Sequence, residues 1–197
     1  MTQRFKYLSA TVLMTALVAL SPFALFAQDG SAEGEPVAPA HETYTWEAEP
    51  KLYQPGEDDA DYGSVVVKDA RITEFRRDNS AQGAVILETR HFWVHLNSDE
   101  SVEQFNKVYI PVRDEANLID LKARAIAPDG TVTEIGKEKI KELENVEDYG
   151  NLKLLAIEGA VKGGDVEYIY TVKTGFQLFG RENIQREVPI KELRVST

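Results

Sequence analysis

The sequence predicts an all-β domain, an antiparallel β-sandwich with short helical insertions. Short segments of alternating apolar and polar residues are separated by turn-forming residues at the spacing of hairpins. The clearest pattern covers residues 118–135, where Ile119, Leu121, Ala123 and Ala125 share one face of a strand. Hydrophobic residues make up 43% of the chain, which is enough for a packed core and excludes disorder of the whole chain.

A Pro-Asp-Gly turn joins the two strands of this central hairpin. Pro128 has the fixed φ preferred at the second position of a type I turn. Gly130 allows the positive φ with which the chain re-enters the sheet. Asp129 is therefore interpreted as a turn residue and not as a catalytic acid. A second tight turn is predicted at Gly163 and Gly164.

Further strands are predicted at 65–67, 70–77, 84–97, 107–112, 152–157, 166–172 and in the terminal run KELRVST. The apolar face of the longest strand changes near Thr89 and Arg90, which predicts a bulge or a bend there. One helical turn is predicted at 99–104, capped by Ser98 or Ser101. A short helix is predicted at 137–144.

The N-terminal residues have the pattern of a secretory signal peptide, residues 1–27. Arg4 and Lys6 precede an apolar run that ends at Ala27, and a membrane anchor is the alternative interpretation. The run is shorter than the ~20 apolar residues of a spanning helix. Residues 28–62 are predicted to form a flexible acidic leader, and 63–197 the β-sandwich domain. The protein is therefore expected to be periplasmic or secreted.

The charge of the chain disfavours several partners. Loss of residues 1–27 removes two basic residues and no acidic one, which takes the net charge from −11 to −13. Such a surface repels nucleic acids and anionic membranes. The sequence contains no cysteine, which excludes thiol catalysis, thiolate zinc sites and attachment of haem through cysteine. No cofactor is predicted.

At the hairpin the chain resembles an uncharacterised domain found upstream of transglutaminase-like peptidase domains in exported bacterial proteins. The matching motifs are SVVV at 64–67, RHF at 90–92, ARA at 123–125, PDG at 128–130, NLK at 151–153 and GDVEYIY at 164–170. The resemblance covers about residues 60–195 of the 197. It implies a non-catalytic accessory or recognition module.

Two departures limit what this resemblance implies. The family's cysteine, histidine and aspartate belong to the catalytic domain that follows, and this chain contains no cysteine, so that activity is not carried over. The family domain also extends beyond the position of Thr197. The chain is therefore expected to be either a shortened relative or a fragment of a longer protein. In the second case the sandwich is incomplete at its C-terminal end, and its last strand leaves an unpaired edge.

His91, Trp93 and His95 form the most site-like cluster in the sequence. On a strand, two histidines four residues apart lie ~13 Å from each other, too far to share one metal ion. If Phe92 faces the core, the cluster faces outward, where Trp93 could stack on a sugar ring or a peptide side chain. The alternative is that another sheet or a further domain covers this face.

The sequence is compatible with three functions. The first is the accessory module, with a transglutaminase-like peptidase domain as its partner. The second is an envelope module that binds a glycan or peptide through an exposed Trp/His strand face. The third is a hydrolase with an unrecognised triad, although the chain has no nucleophile-elbow pattern and no carboxylate pair in an apolar setting.

Overall fold

A computed structural model describes residues 38–78, 83–111, 117–146, 150–176 and 183–197. Over these residues, nine strands form a six-stranded and a three-stranded sheet, with a shared core between them. The predicted all-β sandwich with short helical insertions is thereby confirmed. The paired strands run antiparallel, except that β9 lies parallel to β1 and forms an edge of the larger sheet.

The strands are β1 (Ser64–Asp78), β2 (Gly83–Leu96), β3 (Lys107–Pro111), β4 (Leu118–Ile126), β5 (Val132–Ile135), β6 (Ile140–Val146), β7 (Gly150–Ala156), β8 (Asp165–Gly175) and β9 (Ile190–Ser196). The helices are α1 (Ala40–Thr43) and α2 (Asp99–Phe105), with 3-10 turns at Glu57–Asp59 and Lys137–Lys139. The larger sheet has the order β5-β4-β8-β2-β1-β9, and the smaller one β3-β7-β6. None of the helices in these ranges has the length and apolarity that a bilayer crossing requires.

The long hairpin β1–β2 lies near the centre of the larger sheet and differs from its prediction in two ways. The two short strands predicted at 65–67 and 70–77 are one strand, with a register shift between Val66 and Lys68. The bulge or bend predicted near Thr89 is wrong, because β2 keeps its register there with both β1 and β8 and belongs to the larger sheet alone. Leu87 is buried on one face of β2 and Phe92 on the other, so a strand of unbroken register accounts for the change of apolar side.

The helical predictions have opposite outcomes. At α2 the hydroxyl of Ser98 accepts a hydrogen bond from the Ser101 amide at 3.1 Å, which confirms the predicted cap. The helix predicted at 137–144 is wrong, because the chain enters β6 after one 3-10 turn and pairs with β7. There Lys153 lies opposite Glu142 and donates to its carboxylate at 2.5 Å. Cross-strand pairing has outweighed the helix preference of these charged residues.

Two glycine turns meet at one end of the larger sheet. Pro128, Asp129 and Gly130 connect β4 to β5, and Gly130 has a φ of 85°. The Asp129 carboxylate accepts a hydrogen bond from the Thr131 amide, which lowers the pKa of this carboxyl. Gly163 has a φ of 78°, and at Gly164 a Cβ atom would lie 2.5 Å from the carbonyl oxygen of Ile126.

The N-terminal segment, residues 38–62, belongs to the same compact unit as the two sheets. From its composition, this segment is predicted to be part of a flexible leader. In the structure the Ala40 amide donates to Glu74 on β1, and the Asn97 side chain donates to the carbonyls of Asp59 and Tyr62. The predicted signal peptide and residues 28–37 lie outside the described residues.

Candidate functional site

The predicted residues His91, Trp93 and His95 lie on the face of β2 that points away from the core. Phe92 and Val94, which alternate with them, are buried in the core between the sheets. Of the two interpretations left open, an exposed face and a covered one, the structure shows a covered face at the two histidines, because only 3% of His91 and 4% of His95 is accessible. The reason is that the N-terminal segment packs against them.

His91 is the centre of a network that joins three strands to the N-terminal segment. Its Nε2 lies 2.7 Å from Oε1 of Glu167, and its Nδ1 lies 2.9 Å from the Tyr44 hydroxyl. Arg124, directly opposite Glu167 in the β4–β8 register, donates from Nε to the other carboxylate oxygen at 2.6 Å. An ionised carboxylate only accepts hydrogen bonds, so His91 donates from Nε2 and can accept from Tyr44.

Trp46 holds the N-terminal segment on this network through its indole face. The guanidinium carbon of Arg124 lies 4.4 Å from the indole centroid, and the Lys122 ammonium lies 5.1 Å from it. Both cations also bind the segment directly. Lys122 donates to the Thr45 hydroxyl at 2.6 Å, and Arg124 donates to the Glu47 carbonyl at 3.1 Å. Two cations on β4 therefore anchor three consecutive residues of the segment.

Asp165 is the centre of a second network, one row along the sheet. Its Oδ1 lies 2.5 Å from Nδ1 of His95. Its Oδ2 accepts from the Trp93 indole at 2.9 Å and from the Tyr53 amide at 2.8 Å. The Trp93 donor is thus used inside the protein, and the same carboxylate fixes the backbone of the N-terminal segment.

Asp59 attaches the end of the N-terminal segment to the edge strand β9. The Tyr53 hydroxyl and the Gly56 amide donate to Asp59 at 2.8 and 3.0 Å, and the Lys191 ammonium lies 2.5 Å from it. These hydrogen bonds lower the pKa of the Asp59 carboxyl, and the bond from Lys191 has the largest effect. The described residues contain no group of three or more His, Asp or Glu side chains that could hold a metal ion.

The Tyr44–His91–Glu167 chain has the connectivity of a catalytic relay but not its electrostatics. A nucleophilic hydroxyl requires a pKa that is lowered or an adjacent base free to take its proton. Burial, followed by the charge of Glu192, instead raises the pKa of Tyr44. Beside the network lies a cleft of about 70 Å³, lined in part by Trp46, Lys68, Trp93 and Arg124. This volume holds a few water molecules and not a sugar ring.

Only the β2 members of this site are predicted from the sequence. Glu167, Asp165 and Arg124 are not, because alternation in β4 and β8 marks them as outward-facing but not as partners of particular histidines. Trp46 and Tyr53 also belong to the site, although they lie in the predicted leader. The turn residues Pro128 to Gly130, Gly163 and Gly164 contribute no side chain to these two networks.

Comparisons with known proteins show a likeness of fold alone. The chain matches no protein-family model and no curated protein. It is similar to the crystal structure of a putative protease from Parabacteroides distasonis, with a TM-score of 0.54 and 15% sequence identity. The match covers 68% of this chain and 28% of that one, so the shared fold is a minor part of the larger protein.

Proposed function

We propose that this chain is a non-catalytic accessory module of an exported protein, which positions or recognises a partner for a transglutaminase-like peptidase domain. The observation that carries the proposal is the closed pairing of the candidate site. His91 and His95 each bond a buried carboxylate, and residues of the N-terminal segment complete both networks. The groups best suited to acid–base chemistry therefore serve to hold the fold together.

The electrostatics of the site also support a non-catalytic role. A general base needs a pKa near the working pH and access to a substrate proton. The ring nitrogens of His91 both lie within hydrogen-bonding distance of protein groups. Burial raises the pKa of the adjacent Tyr44 hydroxyl, which disfavours its ionised, nucleophilic form. The pairing thus favours stabilisation of the N-terminal segment over turnover of a substrate.

The partner in this proposal comes from the resemblance described above. That resemblance associates the domain with a following peptidase domain. The similar crystal structure is a putative protease of which the match covers 28%, which fits a module beside a separate catalytic part. Export to the periplasm or the medium belongs to the proposal as well, and rests on the signal-peptide pattern of residues 1–27.

The test combines genomic context with an activity assay. The DNA beyond the codon for Thr197 and the neighbouring genes are read for a domain with cysteine, histidine and aspartate in transglutaminase-like order. The encoded domain is then mixed with this chain, and their affinity is measured by calorimetry. We expect saturable binding, and no hydrolysis of ester or peptide substrates by this chain alone.

A contaminating hydrolase is the main risk in the assay, and a His91→Gln variant controls for it. Turnover that persists in this variant and varies between preparations comes from a contaminant. Turnover that is constant in the wild type and lost in a folded His91→Gln variant would refute the non-catalytic proposal and support the hydrolase alternative. Absence of binding to the peptidase domain would refute the accessory role.

One observation favours the alternative of a glycan- or peptide-binding face. Two indoles, Trp46 and Trp93, line the cleft beside the His91 network. A ligand would have to displace part of the N-terminal segment, because the cleft has only about 70 Å³. Pull-down with peptidoglycan separates the cases: retention of the wild type and loss in Trp93→Phe would support this alternative.

A further inference from the structure

Three adjacent strands of the larger sheet, β4, β8 and β2, form the surface beneath the N-terminal segment. Glu167 on β8 joins His91 on β2 to Arg124 on β4. Asp165, also on β8, binds His95 on β2 in the next row. We call the face formed by these five side chains the outer groove. Its internal hydrogen bonds need no residue of the N-terminal segment, so the strands by themselves can assemble this surface.

Aromatic rings of the N-terminal segment lie on the outer groove. Tyr44 meets the ring of His91 edge-on, with 5.6 Å between the centroids. Trp46, two residues later, has its indole centroid 4.4 Å from the guanidinium carbon of Arg124. A third ring, that of Tyr53, lies 5.7 Å from the second imidazole of the groove. Tyr, Trp and Arg are the residue types that dominate binding energy at protein interfaces, so the contact has the composition of a receptor with a bound peptide.

The N-terminal segment lies on the surface of the domain, and the outer groove lies beneath it. The structure describes all of residues 38–58, and none of them is buried, whereas the five groove side chains are. Each described hydrogen bond between residues 40–53 and the larger sheet involves at least one side chain. A peptide that extends a sheet would add backbone-to-backbone bonds. Residues 38–58 are thus attached by a few anchors and add no strand to the sheet.

Release of the segment would expose polar groups and not the core. His91, Arg124 and Glu167 could then bond water, whereas core residues such as Phe92 face the other side of the sheet. Exposure of apolar area costs free energy in proportion to that area, and water satisfies exposed polar groups. A cleft of about 70 Å³ between segment and sheet also shows that the two are not closely packed. These features favour a segment that can leave while the two sheets stay folded.

The segment and the sheet complement each other in charge. Residues 41–53 contain three glutamates and one lysine, a net charge of −2 with histidine neutral. Lys122, the next outward-facing residue of β4 after Arg124, donates to Thr45 and lies 5.1 Å from the indole centroid of Trp46. Cations bind the faces of aromatic rings electrostatically. The chemistry that this surface recognises is therefore an acidic, extended peptide with aromatic side chains.

We propose that the outer groove is a peptide-recognition site, which the N-terminal segment occupies as an intramolecular competitor. The partner that fits it is an acidic, extended stretch of another polypeptide with two aromatic residues separated by one residue, the spacing of Tyr44 and Trp46. A tethered competitor has an effective concentration in the millimolar range, so weak ligands are kept out. The groove would supply the recognition role of the proposed function, on which this inference rests.

Asp59 favours another polypeptide over a second copy of this chain as the partner. The Tyr53 hydroxyl and the Gly56 amide both donate to its carboxylate, and Lys191 of β9 binds it as well. These contacts hold the base of the segment on its own domain. A released segment therefore returns to its own groove more readily than it reaches the groove of a second copy.

The first experiment titrates a fluorescein-labelled peptide of residues 41–53 with the full chain and follows the fluorescence anisotropy. The Trp46→Ala chain has lost an anchor of its own segment. We expect it to bind the peptide saturably and at least tenfold more tightly than the wild type, because more of its grooves are open. A control peptide with alanine in place of the tryptophan should bind at least tenfold more weakly. No saturable binding, or equal binding of the two peptides, would overturn the proposal.

A double variant keeps the test decisive if the loss of one ring does not release the segment. The Tyr44→Ala, Trp46→Ala chain lacks both anchors, and faster tryptic cleavage after Lys51 reports the release. We expect this chain to keep its β-sheet circular dichroism and to bind the tryptophan peptide. Absence of binding, a segment that still resists trypsin, or loss of the β-sheet signal would each exclude a displaceable segment on a peptide site.

Lys122→Gln, made in the Trp46→Ala chain, tests where the peptide binds. The change removes the charge beside the indole, and we expect the affinity for the tryptophan peptide to fall at least threefold. Lys139→Gln is the control, because Lys139 pairs with Glu158 and contacts no residue of the outer groove in the described parts of the chain. Equal affinities of the two variants would show that the peptide binds elsewhere.

Analytical ultracentrifugation distinguishes the two sources of the peptide. The wild type should be a monomer at the concentrations used in the titrations. A wild-type dimer that Trp46→Ala does not form would overturn the choice of another polypeptide and make a second copy the partner. Binding of the peptide without affinity for a peptidase domain would support the groove and refute the accessory role alone.

Discussion

His91 and Glu167 are 76 positions apart in the sequence, and their side chains meet at 2.7 Å in the interior. The contact connects β2 to β8, and Glu167 extends it through Arg124 to β4 and to the N-terminal segment. The His91 cluster, which has the pattern of a ligand site in the sequence, therefore holds residues 38–62 against the larger sheet.

Replacement of Glu167 by Gln should destabilise the domain by about 3 kcal/mol, the range for removing one partner of a buried ion pair. The change leaves Arg124 buried without its carboxylate, while the shape of the side chain is kept. The free energy of unfolding, measured by urea titration at pH 7, should fall with little change in the slope of the transition.

Glu192→Gln is the matched control for this substitution. Glu192 lies on the edge strand, pairs with Lys68 at 3.3 Å and is half-exposed. Surface pairs of this kind contribute about 0–1 kcal/mol. Equal effects of the two substitutions would show that the Glu167 network is not a main support of the fold.

Trp46→Ala should loosen the N-terminal segment and lower the free energy of unfolding by about 1–3 kcal/mol. The change removes two cation–π contacts, worth about 0.5–2 kcal/mol each, and the apolar cover of Arg124. Limited proteolysis provides a local readout, since the exposed Lys51 is a trypsin site within the segment. Cleavage after Lys51 should be several times faster than in the wild type.

Tyr62→Ala controls for the loss of an aromatic ring from the same segment. Its side chain is 42% exposed, and its backbone carbonyl accepts a hydrogen bond from the Asn97 side chain. Its cleavage rate should equal that of the wild type. A Trp46→Ala variant that resists trypsin equally well would show that the indole does not hold the segment.

Asp59→Asn should reduce the dependence of stability on acid pH. The folded-state pKa of Asp59 lies below its ordinary value of 3.8, since Lys191 and Tyr53 bond the carboxylate. A lowered folded pKa gives stability that is present above pH 4 and is lost as the pH falls through the folded value. The wild type should therefore have the higher urea midpoint at pH 7. The difference from Asp59→Asn should become smaller as the pH is lowered from 7 to 3.

The exposed neighbour Asp58 supplies the comparison for this pH effect. Asp58→Asn removes the same charge from the same 3-10 turn. Its urea midpoint should stay parallel to that of the wild type across the pH range. A difference for Asp59→Asn that is constant with pH would contradict the role of its ionised carboxylate.

Gly164→Ala should destabilise the domain by about 1–3 kcal/mol, the range for added atoms in a closely packed site. A Cβ atom there would lie 2.5 Å from the Ile126 carbonyl and 3.0 Å from that of Val161, and neither backbone atom can easily move. Gly175→Ala is the control, because nothing lies within 4 Å of its Cβ position. Equal melting temperatures of the two variants would contradict the close approach at Gly164.

The accuracy of the sequence predictions follows the range of the interactions involved. The Ser98 cap and the Pro128–Gly130 turn depend on neighbouring residues, and they occur where local chemistry places them. The helix predicted at 137–144 fails because Ile140 and Glu142 find better partners on β7, about ten to fifteen residues later in the chain. Local preference decides a segment only where no distant strand competes for its backbone.

In the candidate site, too, the sequence predicts what depends on neighbouring residues and not what depends on distant ones. The period of two in β2 is sufficient to put His91 on the face opposite Phe92. It carries no information on which acidic residue lies beside the imidazole, or on whether a distant segment covers it. Trp46 and Tyr53 lie in a stretch rich in turn formers, and their role depends on Arg124 and Asp165, more than seventy residues away.

By itself the sequence determined the all-β class, the positions of most strands and the central hairpin, because alternation and turn chemistry are properties of neighbouring residues. Tertiary structure alone decided that the N-terminal segment covers the His91 face, and that the Glu167 carboxylate lies between His91 and Arg124. Both arrangements join residues that are distant in the chain. Buried charges impose them, since each must find a partner wherever the fold brings one within reach.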